Sequence, residues 1–413
     1  MSTNSDLNIS KKIFILTDCS TFGGTYTWTN NFTNVLDILS INYFVTSNPL
    51  IDFKFELNCL DEKIIIINNY QHKFFDQIDQ KIIQKCKFYF VMHGKENPIN
   101  SYLIENLKYF NGIICITKEI KEFAEKHNLI SHLIFFLLEN FVEPVSKSIH
   151  PVELAKLSES IELQNPQQNH PNQIVFNFVG RVSPEKNLPM LLYAFCQVQN
   201  KHQIFNWQLN IWGNTSNIRH YDMLVEIIKK SSIYDKVKFC GFTNDKNKLY
   251  SKNQSDYTYT ILPSIYEGSS YAVIESLAYG IPVIAIKGVG DNDYQINHNL
   301  NGYLIDLIFA TDNLTNQSAD QLALLNFNQK LKNVGYFEGV IYKNIKNGKM
   351  TLNRNIITLP PIHYNIKSDI FETNINKMTD VIILAINKPL YISPQSKIIK
   401  QQYFDSIKTI ISH

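Results

Sequence analysis

The chain reads as an α/β protein built from two doubly wound domains. Three observations predict this. Its 413 residues are too many for one ordinary core. Strand-like apolar runs alternate with helical periodicity in both halves, which implies parallel sheets covered on both faces. The polar residues able to do chemistry gather where strands pass into helices, the edge at which such sheets bind ligands.

In the first half, Lys12-Ile-Phe-Ile-Leu-Thr17 has the pattern of a first strand. It leads to Gly23-Gly24, a pair that lets backbone approach a ligand closely, although most such pairs are simply turns. Phe88-Tyr-Phe-Val-Met-His93-Gly94 is a second strand with a polar tip. A lone histidine there is more often structural than functional. Asn111-Gly-Ile-Ile-Cys-Ile-Thr117 reads as the strand before the last helical section of this half.

In the second half, Ile174 to Val179 forms a buried strand running into Gly180-Arg181-Val-Ser-Pro-Glu-Lys186-Asn187. A helix follows, with Leu188, Leu191, Leu192, Phe195 and Val198 on its inner face. Ser183 and Pro184 suit its start, which puts Arg181 and Lys186 at a helix mouth. Free N–H groups and the helix dipole favour an anion there, and both side chains suit phosphate. The plain alternative is a surface Arg and Lys on a loop.

Farther on, Tyr257-Thr-Tyr-Thr-Ile-Leu-Pro-Ser264 alternates as a strand, and Glu267-Gly-Ser-Ser-Tyr-Ala-Val-Ile-Glu275 follows. The helix around Glu275 carries Val273, Ile274, Leu277 and Ala278 on one face and stops at Gly280 and Pro282. At about 1.5 Å per residue the two acids lie roughly 10 Å apart. That is too far to act on one atom, but it suits the two ends of a nucleotide sugar. A capped helix with one exposed Glu is the plain alternative. The basic pair about eighty residues upstream in the same α/β array favours the first reading.

Gly180-Arg181-x4-Lys186, Pro263-Ser-x-x-Glu267-Gly-x6-Glu275, Gly280-x-Pro282-Val283 and Asn301-Gly302 together resemble the retaining GT-B glycosyltransferases of family 4, glycosyl transferases group 1. The likeness is densest from about 174 to 306. It implies two Rossmann-like domains facing a cleft. It also implies that Arg181 and Lys186 bind the donor diphosphate, Glu267 contacts the donor sugar and Glu275 holds the ribose. Backbone N–H groups of Gly268, Ser269, Ser270 and Tyr271 would contact sugar and phosphates. Gly23 and Gly24 would match the glycine-rich first loop over the diphosphate, and His93 a histidine near sugar and acceptor. Lys236 to Phe242 resembles the segment that borders the base, so Phe242 joins the donor-binding set. Two departures stand out. Thr215 occupies a position where the family often has glycine after Trp207-Gln-Leu-Asn-Ile-Trp-Gly213. After Gly288-Val-Gly290 the family's Glu falls near Tyr294, with Asp291 and Asp293 the nearest acids.

The resemblance implies retention of configuration, with the departing phosphate taking the acceptor's proton. The basic pair stabilises the leaving group. No second close carboxylate is placed as a nucleophile, unlike the paired acids of retaining glycosidases. No Asp-x-Asp stands at a strand end, and neither metal nor cofactor is expected. The donor is a nucleoside diphosphate sugar and the acceptor a hydroxyl on a glycan or lipid-linked glycan. A nucleotide-sugar epimerase of the same architecture and a non-catalytic nucleotide-sugar-binding scaffold are the competing readings. The Glu267/Glu275 pair disfavours the first, and retention of all four charged residues disfavours the second.

The net charge of +2 gives no broad basic field for nucleic acid. Lysines cluster at Lys81 to Lys87 and Lys118 to Lys126. The default reading is a solvated helix face, and the functional one is contact with an anionic membrane. The six cysteines lack C-x-x-C spacing and read as reduced, with Cys115 and Cys240 in apolar strands. With a polar N-terminus and no apolar run near ~18 residues, the expected location is cytoplasmic, peripheral at the inner membrane face in the second lysine reading. Oligomeric state is not legible.

The expected boundaries are 1–142 for an N-terminal acceptor domain, 143–172 for a Pro-rich linker and 173–396 for a nucleotide-sugar-binding domain. Residues 397–413 form a helix returning to the first domain. An insertion at about 307–369 carries a hairpin signal around Asn347-Gly348.

Overall fold

The computed structural model describes residues 12–17, 24–47, 63–68, 75–77, 80–93, 106–126, 133–142, 173–202, 205–215, 217–250, 256–308, 352–353, 356–357, 368–392 and 400–413. Gly23, the 143–172 segment and the Asn347-Gly348 turn lie outside these residues. The chain divides into two compact units, one of Met1–Phe141 with Ile398–His413, the other of Val142–Lys397.

In the first unit the described elements begin with β1 (Lys12–Leu16), α1 (Gly24–Ile38), β2 (Tyr43–Thr46), β3 (Lys63–Asn68) and β4 (Cys86–Met92). β5 (Phe110–Cys115), α2 (Lys118–Lys126) and β6 (Ile134–Leu137) follow. The sheet runs β2-β1-β3-β4-β5-β6, and every pairing is parallel. β3 is buried at every position, which is why Ile64 to Ile67 form an unbroken apolar run rather than an alternating one. α1 presses Trp28, Phe32, Val35 and Leu36 into the core. The chain passes from β1 to β2 on one side and then to β3 on the other side of β1, so the carboxyl ends of β1 and β3 form the switch point of this sheet. β6 has no counterpart among the sequence expectations, although Leu133 to Leu138 is an apolar run of six residues. The lysines of α2 pair along the helix, Lys118 with Glu122 at 3.8 Å and Lys121 with Glu125. That is the arrangement of a solvated face.

The second unit contains β7 (Gln173–Val179), α3 (Leu188–Lys201), β8 (Trp207–Trp212), α4 (Ile218–Lys229), β9 (Val237–Gly241) and α5 (Lys246–Tyr250). After these come β10 (Asp256–Leu262), α6 (Tyr271–Ala278), β11 (Val283–Ile286), α7 (Asn292–Gln295), β12 (Gly302–Ile305) and α8 (Ser368–Asn387). Its order is β12-β11-β10-β7-β8-β9, again parallel throughout. The chain winds outward from β7 to β9, returns to β10 beside β7, then winds the other way to β12. The carboxyl ends of β7 and β10 therefore flank a crevice of the kind in which doubly wound sheets hold ligands.

The core of this unit rests on α3, where Leu188 to Cys196 and Val198 are all buried. α8 packs on it through Ile375, Met378 and Ile382. A closing helix, α9 (Lys400–Ser412), belongs to the first unit, where Tyr403 stacks on Phe141 at 5.6 Å and Lys87 donates to the His413 carbonyl at 2.6 Å. In the expected insertion, the described residues show only a short antiparallel pair, Leu352–Asn353 with Ile356–Ile357.

Two expectations need correction. Helix α3 does not begin at Ser183-Pro184. Those residues open a single 3-10 turn, Pro184–Lys186, and Asn187 breaks it with a left-handed backbone (φ 53°, ψ 34°) before α3 begins at Leu188. Asn tolerates that conformation better than most residues, so it separates the turn from the helix. Arg181 and Lys186 thus lie on a tight turn ahead of the helix mouth. Cys240, expected in an apolar strand, is only half-buried because β9 is an edge strand; Cys115 is buried and burial pushes its thiol up to about 12.

Candidate functional site

Two turns build the centre of the site. After β7, Gly180 N donates to the Trp212 carbonyl at 2.9 Å and Val182 N to the Asn214 carbonyl at 2.9 Å, which lashes the Arg181 loop to the end of β8. Gly213 makes this close approach possible. Its φ is 147°, and a Cβ there would stand 1.8 Å from the Gly180 carbonyl oxygen. Thr215, where the family often has glycine, ties the same two loops by donating to the Val182 carbonyl at 3.2 Å.

After β10, Ile265 N donates to the Glu185 carbonyl at 3.0 Å, so the second turn docks directly on the first. The side chains repeat the connection. Lys186 Nζ bonds Glu267 Oε1, with the two side chains 15% and 14% exposed. Two sequence motifs separated by 81 positions thus meet in one largely buried ion pair. Arg181 is not part of it. Its guanidinium reaches Glu185 at 3.1 Å and is 65% exposed. Burial raises the Glu185 carboxyl, but the Ser183 hydroxyl, its own backbone amide and the charges of Arg181 and Lys186 outweigh this and leave it below the usual range.

The loop after β11 leans on the same turn. Gly290 has φ 57°, and a Cβ there would lie 2.4 Å from the Gly268 carbonyl oxygen. Buried Asp291 accepts from Ser269 Oγ at 2.8 Å and from Gln295. Asp293 accepts from the Gly288 amide, and Tyr294, at the family's Glu position, is 42% exposed. The acid nearest the Gly268–Ser270 turn is therefore Asp291, which braces it from behind. Helix α6 starts at Tyr271 with Ser270 as N-cap, so the first amides of the helix open at this turn.

Glu275 lies one helical stretch farther along α6 and is 6% exposed. Lys246 Nζ donates to its Oε1 at 2.6 Å and Tyr250 Oη to its Oε2 at 2.9 Å. Both donors come from α5, which packs through Leu249 and Tyr250 onto Val179 and Trp212, the last residues of β7 and β8. Neither Lys246 nor Tyr250 was singled out from the sequence. They sit 29 and 25 positions from Glu275 on a helix of five residues, and nothing local marks them. Phe242, at the tip beyond β9, is 43% exposed.

In the first unit, His93 follows β4 and its ring lies 6.1 Å from Trp28, edge-on. Nε2 bonds Asn68 Oδ1. Asn68 Nδ2 donates to Thr29 Oγ1 at 2.8 Å, and Thr29 Oγ1 to the Thr25 carbonyl at 3.0 Å. With its amide nitrogen so used, Asn68 presents its oxygen to His93, which puts the proton on Nε2 and leaves Nδ1 as the lone-pair nitrogen. Burial draws the ring's pKa down to about 4, so it is neutral at physiological pH. Gly24 opens α1 beside this network. Among the described residues no three His, Cys, Asp or Glu side chains gather as a metal site would require. No described helix is long and apolar enough to cross a membrane.

Two parallel, doubly wound six-stranded sheets with polar turns at their carboxyl edges define a GT-B fold. Residues 160–333 match the family described as glycosyl transferases group 1, and this stretch holds Arg181, Lys186, Glu267 and Glu275. An uncharacterized glycosyltransferase of Methanocaldococcus jannaschii is 27% identical over 195 residues, covering 46% of this chain and 45% of the relative. The UDP-Gal:α-D-GlcNAc-diphosphoundecaprenol α-1,3-galactosyltransferase of Escherichia coli is 23% identical, covering 47% of each. The chain thus spans less than half the length of these curated relatives. Anabaena HepE, solved in complex with UDP-glucose, aligns over 97% of this chain and 98% of its own with a TM-score of 0.51 at 14% identity, a likeness of fold.

Proposed function

We propose that this protein is a retaining, metal-independent glycosyltransferase that moves a sugar from a nucleoside diphosphate sugar to a hydroxyl of a glycan or lipid-linked glycan. The observation that carries this reading is the buried Lys186–Glu267 pair at the switch point, where a cation suited to diphosphate and an anion suited to sugar hydroxyls stand side by side. Lys186 has three N–H donors and Glu267 occupies one, so the rest can face phosphate. Arg181, exposed on the same turn, closes on the diphosphate from solvent. Glu275 takes the ribose, Phe242 borders the base, and the amides of Gly268 to Tyr271 meet the sugar and phosphates. The family resemblance assigns acceptor binding to the first unit, Gly23 and Gly24 to the glycine-rich loop for the diphosphate, and His93 to the sugar and acceptor.

In this scheme the bond from the anomeric carbon to the diphosphate breaks first, and the two basic residues hold the charge that develops. The acceptor oxygen bonds to the same face of the sugar. Its proton passes to the departing phosphate oxygen, so no side chain acts as nucleophile or base. The UDP-glucose held by HepE and the UDP-Gal named for the E. coli relative favour a UDP-sugar, and the diphosphoundecaprenol in that name favours a lipid-linked acceptor. A cytoplasmic location goes with a nucleoside diphosphate sugar donor, and a position at the inner membrane face with a lipid-linked acceptor.

Thermal-shift measurements with UDP-, GDP- and ADP-sugars test the donor class. A ligand at about a hundred times its Kd stabilises the folded state by about 2.7 kcal/mol. NMR of the product gives the anomeric outcome, and EDTA gives the metal dependence. If no nucleotide sugar raises the melting midpoint, the proposal fails. Conversion of the sugar without acceptor would establish an epimerase instead.

A further inference from the structure

Glu275 raises a physical question that its own helix does not answer. A carboxylate only 6% exposed needs compensation, and α6 supplies no cation near it: its sequence is Tyr-Ala-Val-Ile-Glu-Ser-Leu-Ala. Compensation arrives from α5. Lys246 binds one oxygen at 2.6 Å and Tyr250 the other at 2.9 Å. The two donors differ in character. Tyr250 is 2% exposed, packs against the tilted ring of Tyr279 at 5.2 Å and is a fixed part of the wall. The Lys246 side chain is 45% exposed, and its ammonium, which gives one N–H to Glu275, has the capacity to donate two more.

Each carboxylate oxygen has about two acceptor directions, and one on each is already filled. The remaining two can accept the two O–H groups of a vicinal diol. The Lys246 ammonium beside them can donate to a hydroxyl oxygen of the same diol. We propose that Lys246 is a specificity-determining residue that makes the Glu275 end of the site selective for a ribose with both hydroxyls over a deoxygenated one. This rests on the donor-site reading given above. A lone carboxylate accepts from hydroxyls only. The ammonium–carboxylate pair both accepts and donates, so it matches a group that is donor and acceptor at once. A ring lacking the hydroxyls leaves the pair facing nothing, and the pair then adds no affinity.

The test is calorimetric. UDP, GDP and ADP, each with its 2′,3′-dideoxy form, are titrated into the wild-type protein and into Lys246→Met, Lys246→Arg and Tyr250→Phe. Wild type should prefer the ribonucleotide by at least about tenfold. Lys246→Met should bind the ribonucleotide about tenfold more weakly and the dideoxy form unchanged, collapsing the preference, while Lys246→Arg retains part of it. Tyr250→Phe, a positioning change behind Glu275, should leave the dideoxy form unchanged and weaken the ribonucleotide less than Lys246→Met does. An unchanged preference in Lys246→Met, or equal losses for both forms, overturns the role of Lys246 while leaving the donor site standing. If wild type binds none of the three nucleotides, the donor site falls and this inference with it. Because Lys246 is half exposed the Met variant should fold; if its melting midpoint drops, Lys246→Gln, which keeps an N–H donor without charge, carries the same comparison.

Discussion

Separating the two members of the Lys186–Glu267 pair probes the centre of the site. Both side chains are largely buried, at 15% and 14% exposure. Removing one partner of a buried pair leaves an uncompensated charge and costs about 3–5 kcal/mol. The residual exposure of this pair places Lys186→Met near the lower end, about 3 kcal/mol. For a unit of this size that is a fall of roughly 6–12 °C in melting midpoint. The double variant Lys186→Met/Glu267→Gln carries no orphan charge and should recover most of that loss. Binding should follow a different order. Lys186→Met loses a charge-assisted bond to the diphosphate worth about 1.5–3 kcal/mol, and the uncompensated Glu267 charge then repels the same anion. Nucleoside diphosphate affinity should drop at least tenfold, and the double variant should not regain it. Glu267→Gln, in contrast, releases Lys186 from its carboxylate. It should bind free nucleoside diphosphate at least as tightly as wild type while losing sugar transfer. Differential scanning calorimetry and isothermal titration with UDP and GDP measure both orders. A well-folded Glu267→Gln protein that binds nucleotide tenfold more weakly would refute the division of labour. So would a Lys186→Met protein of unchanged stability and affinity.

Three further outcomes are expected. Burial holds His220, fully enclosed on α4, at a pKa of about 4 against the pull of Glu185, while the unfolded chain titrates near 6.5. The unfolded state therefore binds the extra proton first, and stability present above pH 6.5 is lost as pH falls toward 4, on the order of 2 kcal/mol between pH 7 and 5. Urea unfolding at the two pH values should show this loss, and His220→Leu should shrink it. Gly290→Ala forces a side chain into a left-handed backbone and 2.4 Å from the Gly268 carbonyl oxygen, so it should lower the melting midpoint and displace the Gly268–Ser270 turn; a fully active, equally stable variant would contradict the packing. Asn68→Leu removes the partner of His93 Nε2 and should slow transfer about fivefold, with nucleotide affinity unchanged, because the His93 network belongs to the first unit and the nucleotide side chains to the second.

The strands were legible because burial on both faces writes itself into composition. Ile174 to Val179 is apolar but for Asn177, and such a run fits a parallel sheet covered by helices on both sides. Helix α6 was legible from the spacing of Val273, Leu277 and Ala278 and from its stop at Gly280, which takes a φ of 70°. The start of α3 was misplaced because Ser183-Pro184 is an equally good opening for a 3-10 turn. Local sequence does not show that Asn187 will interrupt it. Pairings across the fold were not legible at all. Arg181 and Lys186 read as equivalent cations five positions apart, yet one faces Glu185 in solvent and the other is enclosed with Glu267.

Residue order alone showed that strands and helices alternate, which turns carry charge, and that the two acids flank a helix start, because these follow from periodicity and backbone preference within a dozen positions. Folding settled the rest: that β10 returns beside β7, that the Glu185 carbonyl meets the Ile265 amide, and that Lys246 and Tyr250 reach Glu275. Side-chain pattern records how deeply each position is buried about its own axis. Which buried positions become neighbours depends on strand order, a long-range choice that no local window contains.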